Sequence, residues 1–234
     1  AKNGQKAIAE IVEWPGNARS PIGEIKDVLG DAGNNDTEMH AILAEFELPY
    51  KFPVNVENAA EKIPLEISEE EIKKRRDVRA ITTFTIDPHD AKDFEDALSL
   101  QKLNNGNWEV GVHIADVTHY VTPNSIIEDE AQSKATSVYL VDRVVPMLPE
   151  RLSNGVCSLR PNEEKLCFSA IFELNDEGDL LKEWFGKTVI YSNRRFTYEE
   201  AQQVIETGEG DFSDEMLTLN QLANKLREKR FKNG

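Results

Sequence analysis

Five carboxylates crowd the ten positions from Asp87 to Asp96: Asp87, Asp90, Asp93, Glu95 and Asp96. Packed this densely they repel one another and raise one another's pKa unless a cation lies among them. Hard oxygen donors favour Mg²⁺, with Mn²⁺ able to substitute, over zinc. The chemistry such a cluster supports is metal-assisted phosphoryl transfer. Two other readings compete with it. A calcium loop of the EF-hand type needs D-x-[DN]-x-[DN]-G and a Glu at its twelfth position. His89 stands third and Lys92 sixth, with no Gly, so that reading fails. A solvated acidic loop is the blander alternative, but it does not usually sit between two strands whose ends bring its carboxylates together.

Those strands are readable. Ile81–Ile86 is rich in β-branched residues and leads into the cluster, and Ala97–Leu103 leads out of it. Asn104-Asn-Gly-Asn107 is a hairpin signal connecting to a strand over Trp108–Val117. On that strand Trp108, Val110, Val112 and Ile114 share one face, while Glu109, Gly111 and His113 share the other. Leu166–Leu174 and Trp184–Tyr191 make a second antiparallel pair around Gly178. Capping boxes open helices at Ser68–Glu71 (through about Asp77), at Ser125–Glu128 (with Ile127, Ala131, Ala135 and Val138 in one stripe) and at Thr197–Glu200 (through about Thr207). Met216, Leu219, Leu222, Ala223 and Leu226 form the apolar face of a last helix. Upstream, Ala7–Val12 is β-like, Asn34-Asn-Asp is turn-rich, a helix falls around Glu38–Glu45, and Lys51–Pro64 is a connector. Val141–Leu152 is loop or strand bounded by prolines. The class is α+β, a mixed, mainly antiparallel sheet with packed helices.

Several strings after the cluster carry a specific resemblance: Trp108-Glu-Val-Gly-Val-His-Ile-Ala-Asp-Val-Thr-His-Tyr-Val121, Ala135–Leu140, Val145–Ser153 and Cys157-Ser-Leu-Arg-Pro161. In this order and spacing, from about Ser68 to the last residue, the chain resembles the catalytic domain of the ribonuclease II / ribonuclease R family. Lys2 to Pro53 is similar to the tail of the cold-shock (OB-type) domain that precedes it there. The resemblance implies a small OB-type β-barrel remnant with its connector over residues 1–60, then the first part of the catalytic domain over 61–234. It implies a magnesium-dependent, processive 3′→5′ exoribonuclease that hydrolyses single-stranded RNA to 5′-nucleoside monophosphates, monomeric and cytoplasmic. Asp87 and Asp96 match the positions that hold the metal on the scissile phosphate, and Asp93 matches the third carboxylate, placed to help a second metal. Tyr139 matches the aromatic that stacks on the terminal base, and Arg160 and Arg143 are candidates either for phosphates or for surface ion pairs. Asp90 is a surface residue, and His113 and Asp116 are structural.

Glu95 departs from the pattern. The family's usual residue there is Asp, the one most directly tied to cleavage, and Glu carries one more methylene. Misplacing a catalytic group by about 1 Å costs on the order of 100-fold. The same substitution sustains an alternative: a non-catalytic RNA-binding protein in which this site is detuned. The family's phosphate-contacting arginine and second base-stacking aromatic fall later than Gly234, so a fragment incomplete for activity is expected.

Composition sets the frame. The 234 residues suffice for one or two domains with a proper core. No apolar run is long enough to span a membrane and no signal peptide opens the chain, so a non-membrane protein is expected. Cys157 and Cys167 lack zinc spacing and read as buried thiols. The net charge of −16 opposes nucleic-acid binding. Against it stand basic clusters at Lys73–Arg76, Arg194–Arg195 and Arg227–Lys232.

Overall fold

The computed structural model describes residues 1–17, 19–48, 51–141 and 143–233. It begins with an antiparallel hairpin of β1 (Gln5–Glu13) and β2 (Ile22–Asp31). β2 gave no signal in the sequence because Ile22, Ile25 and Val28 recur at threes, not twos. The pairing absorbs the mismatch through three register shifts. Helix α1 (Asn35–Glu45) follows, with the Asn34 side chain accepting from the N–H groups of Asp36 and Thr37.

The segment expected to be a connector contains a helix, α2 (Val54–Glu61), entered through Pro53. Val56 and Ala60, one turn apart, are buried by it, and tertiary packing of that stripe outweighs the weak local signal. The helix expected through Asp77 is the single turn α3 (Glu69–Ile72). Ser68 caps it, but Arg76–Asp77 leaves as a short strand, β3. The helix after Ser125 is α5 (Ile126–Lys134), which follows the turn α4 (Val117–Tyr120). It stops at Ala135 in a left-handed conformation, so Val138 belongs to a strand and not to the helical stripe.

The remaining strands are β4 (Thr83–Asp87), β5 (Asp96–Lys102), β6 (Trp108–Ala115), β7 (Val138–Tyr139), β8 (Val144–Val145), β9 (Glu163–Leu174), β10 (Leu180–Ser192) and β11 (Arg194–Thr197). A seven-stranded sheet runs β11-β4-β5-β6-β9-β10-β3. Its interior pairs are antiparallel and the outermost pair at each edge is parallel. β7 and β8 form a separate small hairpin, followed by a π-helical segment, Arg151–Val156. Helices α6 (Tyr198–Thr207, with the full Thr197–Glu200 capping box) and α7 (Ser213–Lys232) complete the chain.

Strand alternation divides the apolar residues between the two sheet faces. On one face Phe84 and Phe196 meet edge to face at 5.4 Å and are covered by Ala201, Val204 and Met216 from α6 and α7. On the other, Ala97, Ala115, Cys167 and Ile171 pack beneath α2, α5 and the π-helical segment, with Leu152 and Leu159 fully buried. Both cysteines are free and buried, and burial pushes the Cys157 thiol up to about 12.

His113 and Asp116 are structural, as expected. Asp116 holds the buried Arg75 guanidinium at 2.8 Å and Lys187 at 3.1 Å. The fully buried His113 ring lies between the hydroxyls of Ser169 (2.7 Å) and Ser99 (2.8 Å). A Cβ at Gly111 would collide with the Ser99 hydroxyl and this ring, which explains the glycine. Burial, reinforced by the charge of Arg76, lowers His113 from 6.5 to about 4. The unfolded chain therefore binds the proton first as pH falls, so the contribution of His113 is complete above 6.5 and is lost on the way down to about 4. That window is expected to cost about 3 kcal/mol of stability. Urea unfolding across it measures the loss, and a His113→Gln variant with an unchanged pH slope refutes the assignment.

Candidate active site

Asp87 closes β4 and Asp96 opens β5, which pair antiparallel with Phe84 opposite Leu98. The loop 88–95 thus returns the chain to the strand end it left, which brings the carboxylates into one neighbourhood. Asp87 is buried, with its Oδ2 shielded from water and without a hydrogen-bond partner. Burial raises its carboxyl above the usual range, the neighbouring Thr85 hydroxyl works against the rise, the charges of Asp96 and Asp93 add to it, and Arg195 opposes it. Desolvation, then Asp93 and Asp96, raise Glu95 in the same way, although Glu95 as a residue is solvent-exposed. Asp96 is exposed and Asp93 half-buried, while Asp90 is exposed at the loop's turn.

Tyr139 reaches this cluster from the β7–β8 hairpin. Its hydroxyl donates to Asp93 Oδ2 at 2.9 Å, and the residue remains 65% exposed. The bond to Asp93, with some burial, raises the phenol to about 12. Among the described residues no three His, Cys, Asp or Glu side chains converge closely enough to hold an ion among them. Asp93 is engaged by Tyr139, and the other carboxylates stand under mutual repulsion.

Arg160 is not part of this neighbourhood. Its guanidinium pairs with Glu163 at 3.0 Å and lines a cavity of about 500 Å³ with Tyr120, Val156 and Lys165. Arg143 pairs with Asp36 at 2.7 Å. The basic clusters are largely engaged within the protein as well. Arg75 is sequestered by Glu71 and Asp116, and Arg76 binds Glu109 at 2.8 Å. Arg194 pairs with Asp211, and Lys229 binds Asp179 at 2.5 Å.

Sequence reasoning counted Arg195 only as one of a basic pair. Parallel pairing of β11 with β4 sets it opposite Thr85, where it donates to the Pro88 carbonyl and lies over the Phe94 ring at 5.5 Å. It is thus a cation next to Asp87 that also holds the entry to the loop. No local pattern announces a pairing between segments so far apart in sequence.

Residues 75–234 match the model of the RNB domain, and residues 1–53 match that of the cold shock domain. The chain belongs to the RNB family. Ribonuclease R of Thermotoga maritima is 39% identical over all of this chain and 34% of its own length. An Arabidopsis thaliana relative, Inactive exonuclease DIS3L2, is 35% identical over 97% of this chain and 23% of its own. Among solved structures, Mycoplasma genitalium RNase R in complex with double-stranded RNA superposes with a TM-score of 0.88 at 28% identity, covering 99% of this chain and 42% of that one. The chain therefore spans about a quarter to a third of its curated relatives. This RNB chain has the α+β architecture of that ribonuclease R, preceded by a cold-shock segment, and no helix among its described residues is long and apolar enough to cross a membrane.

The RNB site suits a hard divalent cation in the type of its donors, although no three of the described carboxylates converge on one point as they stand. Its donors are carboxylate oxygens, and a buried, unpartnered Asp87 Oδ2 with a raised pKa is stabilised by the arrival of positive charge.

Proposed function

We propose that the full-length protein hydrolyses single-stranded RNA from the 3′ end, releasing 5′-nucleoside monophosphates processively, with Mg²⁺ or Mn²⁺ held by Asp87, Asp93 and Asp96. The observation that carries this reading is the buried Asp87 carboxylate, its Oδ2 without a hydrogen-bond partner, beside Asp93 and Asp96, which also neighbour Glu95, with an exposed aromatic bonded to Asp93. Bound there, a divalent cation supplies Lewis acidity to the scissile phosphate and acidity to an attacking water. The chain's own residues position the reactants. Tyr139 offers an exposed ring to the terminal base, and its hydroxyl fixes the Asp93 carboxylate. Glu95, exposed and with a raised pKa, is the carboxylate suited to take a proton from water at its Oε atoms. Arg195 tempers the negative field at Asp87.

A second reading retains RNA binding without cleavage. It is favoured by Glu95 in place of the family's Asp and by a 35% identical relative that is named inactive. Single-stranded RNA labelled in its 3′-terminal nucleotide separates the two. With Mg²⁺, label released first as a 5′-monophosphate supports the exonuclease, and stable binding without products supports the alternative.

Tyr139 gives a graded prediction. Stacking on a base is worth roughly 1–3 kcal/mol, so Tyr139→Ala is expected to weaken RNA binding between about 5- and 150-fold. Tyr139→Phe keeps the ring and loses only the bond to Asp93, so its affinity stays close to that of the natural protein. Equal losses in both variants, measured by fluorescence anisotropy, are the result incompatible with stacking.

A further inference from the structure

We propose that Ser158 is the positioning residue of the acidic loop, one buried hydroxyl that fixes the main chain on both sides of Asp93. This rests on the reading of the site as a cation-dependent one. Ser158 is fully buried, just beyond the π-helical segment Arg151–Val156. Its Oγ donates to the Lys92 carbonyl at 2.8 Å and accepts from the Phe94 N–H at 3.1 Å. A hydroxyl has one proton and two lone pairs, so both bonds form at once. They close a ring around Asp93 in a stretch without regular secondary structure.

The neighbouring bonds continue the clamp. Leu159 N–H donates to the Phe94 carbonyl at 2.8 Å, and Ala115 N–H donates to the Glu95 carbonyl at 3.0 Å. The Phe94 side chain is sunk in the core. The backbone from Lys92 to Glu95 is therefore held from the Ser158–Leu159 pair and from β6, while the carboxylates of Asp93 and Glu95 project from it. Ser158 lies more than sixty positions from the loop it holds, and among the described residues its hydroxyl bonds to the main chain on either side of Asp93 and not to the carboxylate of Asp93 or Glu95. Its action is to set where those carboxylates start from. Removing the hydroxyl frees the Lys92 carbonyl and the Phe94 N–H together, and the loop then samples positions in which Asp93 leaves the neighbourhood of Asp87, and Glu95 that of Asp96.

The test compares Ser158→Ala and Ser158→Thr with the natural residue in the full-length protein. Loss of a supporting partner around a metal site typically costs about 10–100-fold in metal affinity or activity. Ser158→Ala is expected to weaken Mn²⁺ binding in calorimetry by that factor and to slow single-turnover RNA cleavage similarly. RNA affinity measured in EDTA stays within about twofold, and Ser158→Thr, which keeps the hydroxyl, recovers most of the Mn²⁺ affinity. A folded Ser158→Ala protein with natural Mn²⁺ affinity overturns the proposal, and so does a Thr variant as weak as Ala. Should the natural protein bind Mn²⁺ yet release no nucleotide, the exonuclease reading falls while the calorimetry still decides the role of Ser158. Should Ser158→Ala not fold, hydrogen exchange at the Phe94 amide of the natural protein decides. Slow exchange supports the clamp, and exchange as fast as at exposed His89 overturns it.

Discussion

A protein carrying Asp87→Asn and Asp96→Asn is expected to lose Mn²⁺ binding altogether and to cleave RNA far more slowly than the ~10–100-fold loss that follows removal of a mere supporting partner. Asparagine keeps the shape of each side chain and removes the charge, so the change tests the electrostatics of the site and leaves its packing. The sign of the effect on stability separates this outcome from misfolding. Asp87 is buried with an unpartnered oxygen, and its pKa is raised by that burial and by Asp96 and Asp93. A carboxyl whose folded pKa exceeds its unfolded one binds its proton more tightly in the fold. Its charge therefore destabilises the fold as pH rises through that window, and the penalty is complete once pH exceeds the folded pKa. The double variant should melt no lower than the natural protein in EDTA, and Mn²⁺ should no longer raise its melting temperature. Unchanged calorimetric Mn²⁺ binding in this variant would falsify the ligand assignment.

The second large effect is expected at Glu95. Its main chain is fixed on both sides, by Leu159 N–H on the Phe94 carbonyl and by Ala115 N–H on its own carbonyl. With the backbone held, the reach of the carboxylate is set by the length of the side chain. Glu95→Asp withdraws the carboxylate by about 1 Å, a displacement that costs on the order of 100-fold. Ground-state contacts to RNA lie elsewhere, so turnover should fall while affinity changes little. Single-turnover cleavage by both proteins measures it. A Glu95→Asp enzyme faster than the natural one would mean that the loop never adapted to the longer residue, and it would favour RNA binding without efficient cleavage.

What the sequence disclosed was local. The Thr197–Glu200 box, the Asn104–Asn107 hairpin and the acidic loop are each written within a few residues, and all three stand in the structure. Tyr139 was drawn from a resemblance, and the structure sets its hydroxyl on Asp93. What escaped was long-range. β3 and β11 are short strands carrying charged residues, recruited by parallel pairing to Thr188–Val189 and to Phe84–Asp87. No period-2 pattern marks them, because their hydrogen-bond partners and not their own side chains make them strands. Arg195 and Ser158 escaped for the same reason, since each meets the loop across more than sixty positions of chain. The basic clusters show a further long-range effect. Within them Arg75, Arg76 and Arg194 pair with carboxylates of the same protein that lie far from them in sequence or outside the cluster.

The most direct measurement of the central claim is anomalous scattering from Mn²⁺ in crystals of the full-length protein, collected under conditions in which it cleaves RNA in solution. The expected result is a peak at coordination distance from the carboxylates of Asp87, Asp93 and Asp96. A peak held by other residues, or cleavage-competent crystals with no peak at the acidic loop, contradicts it.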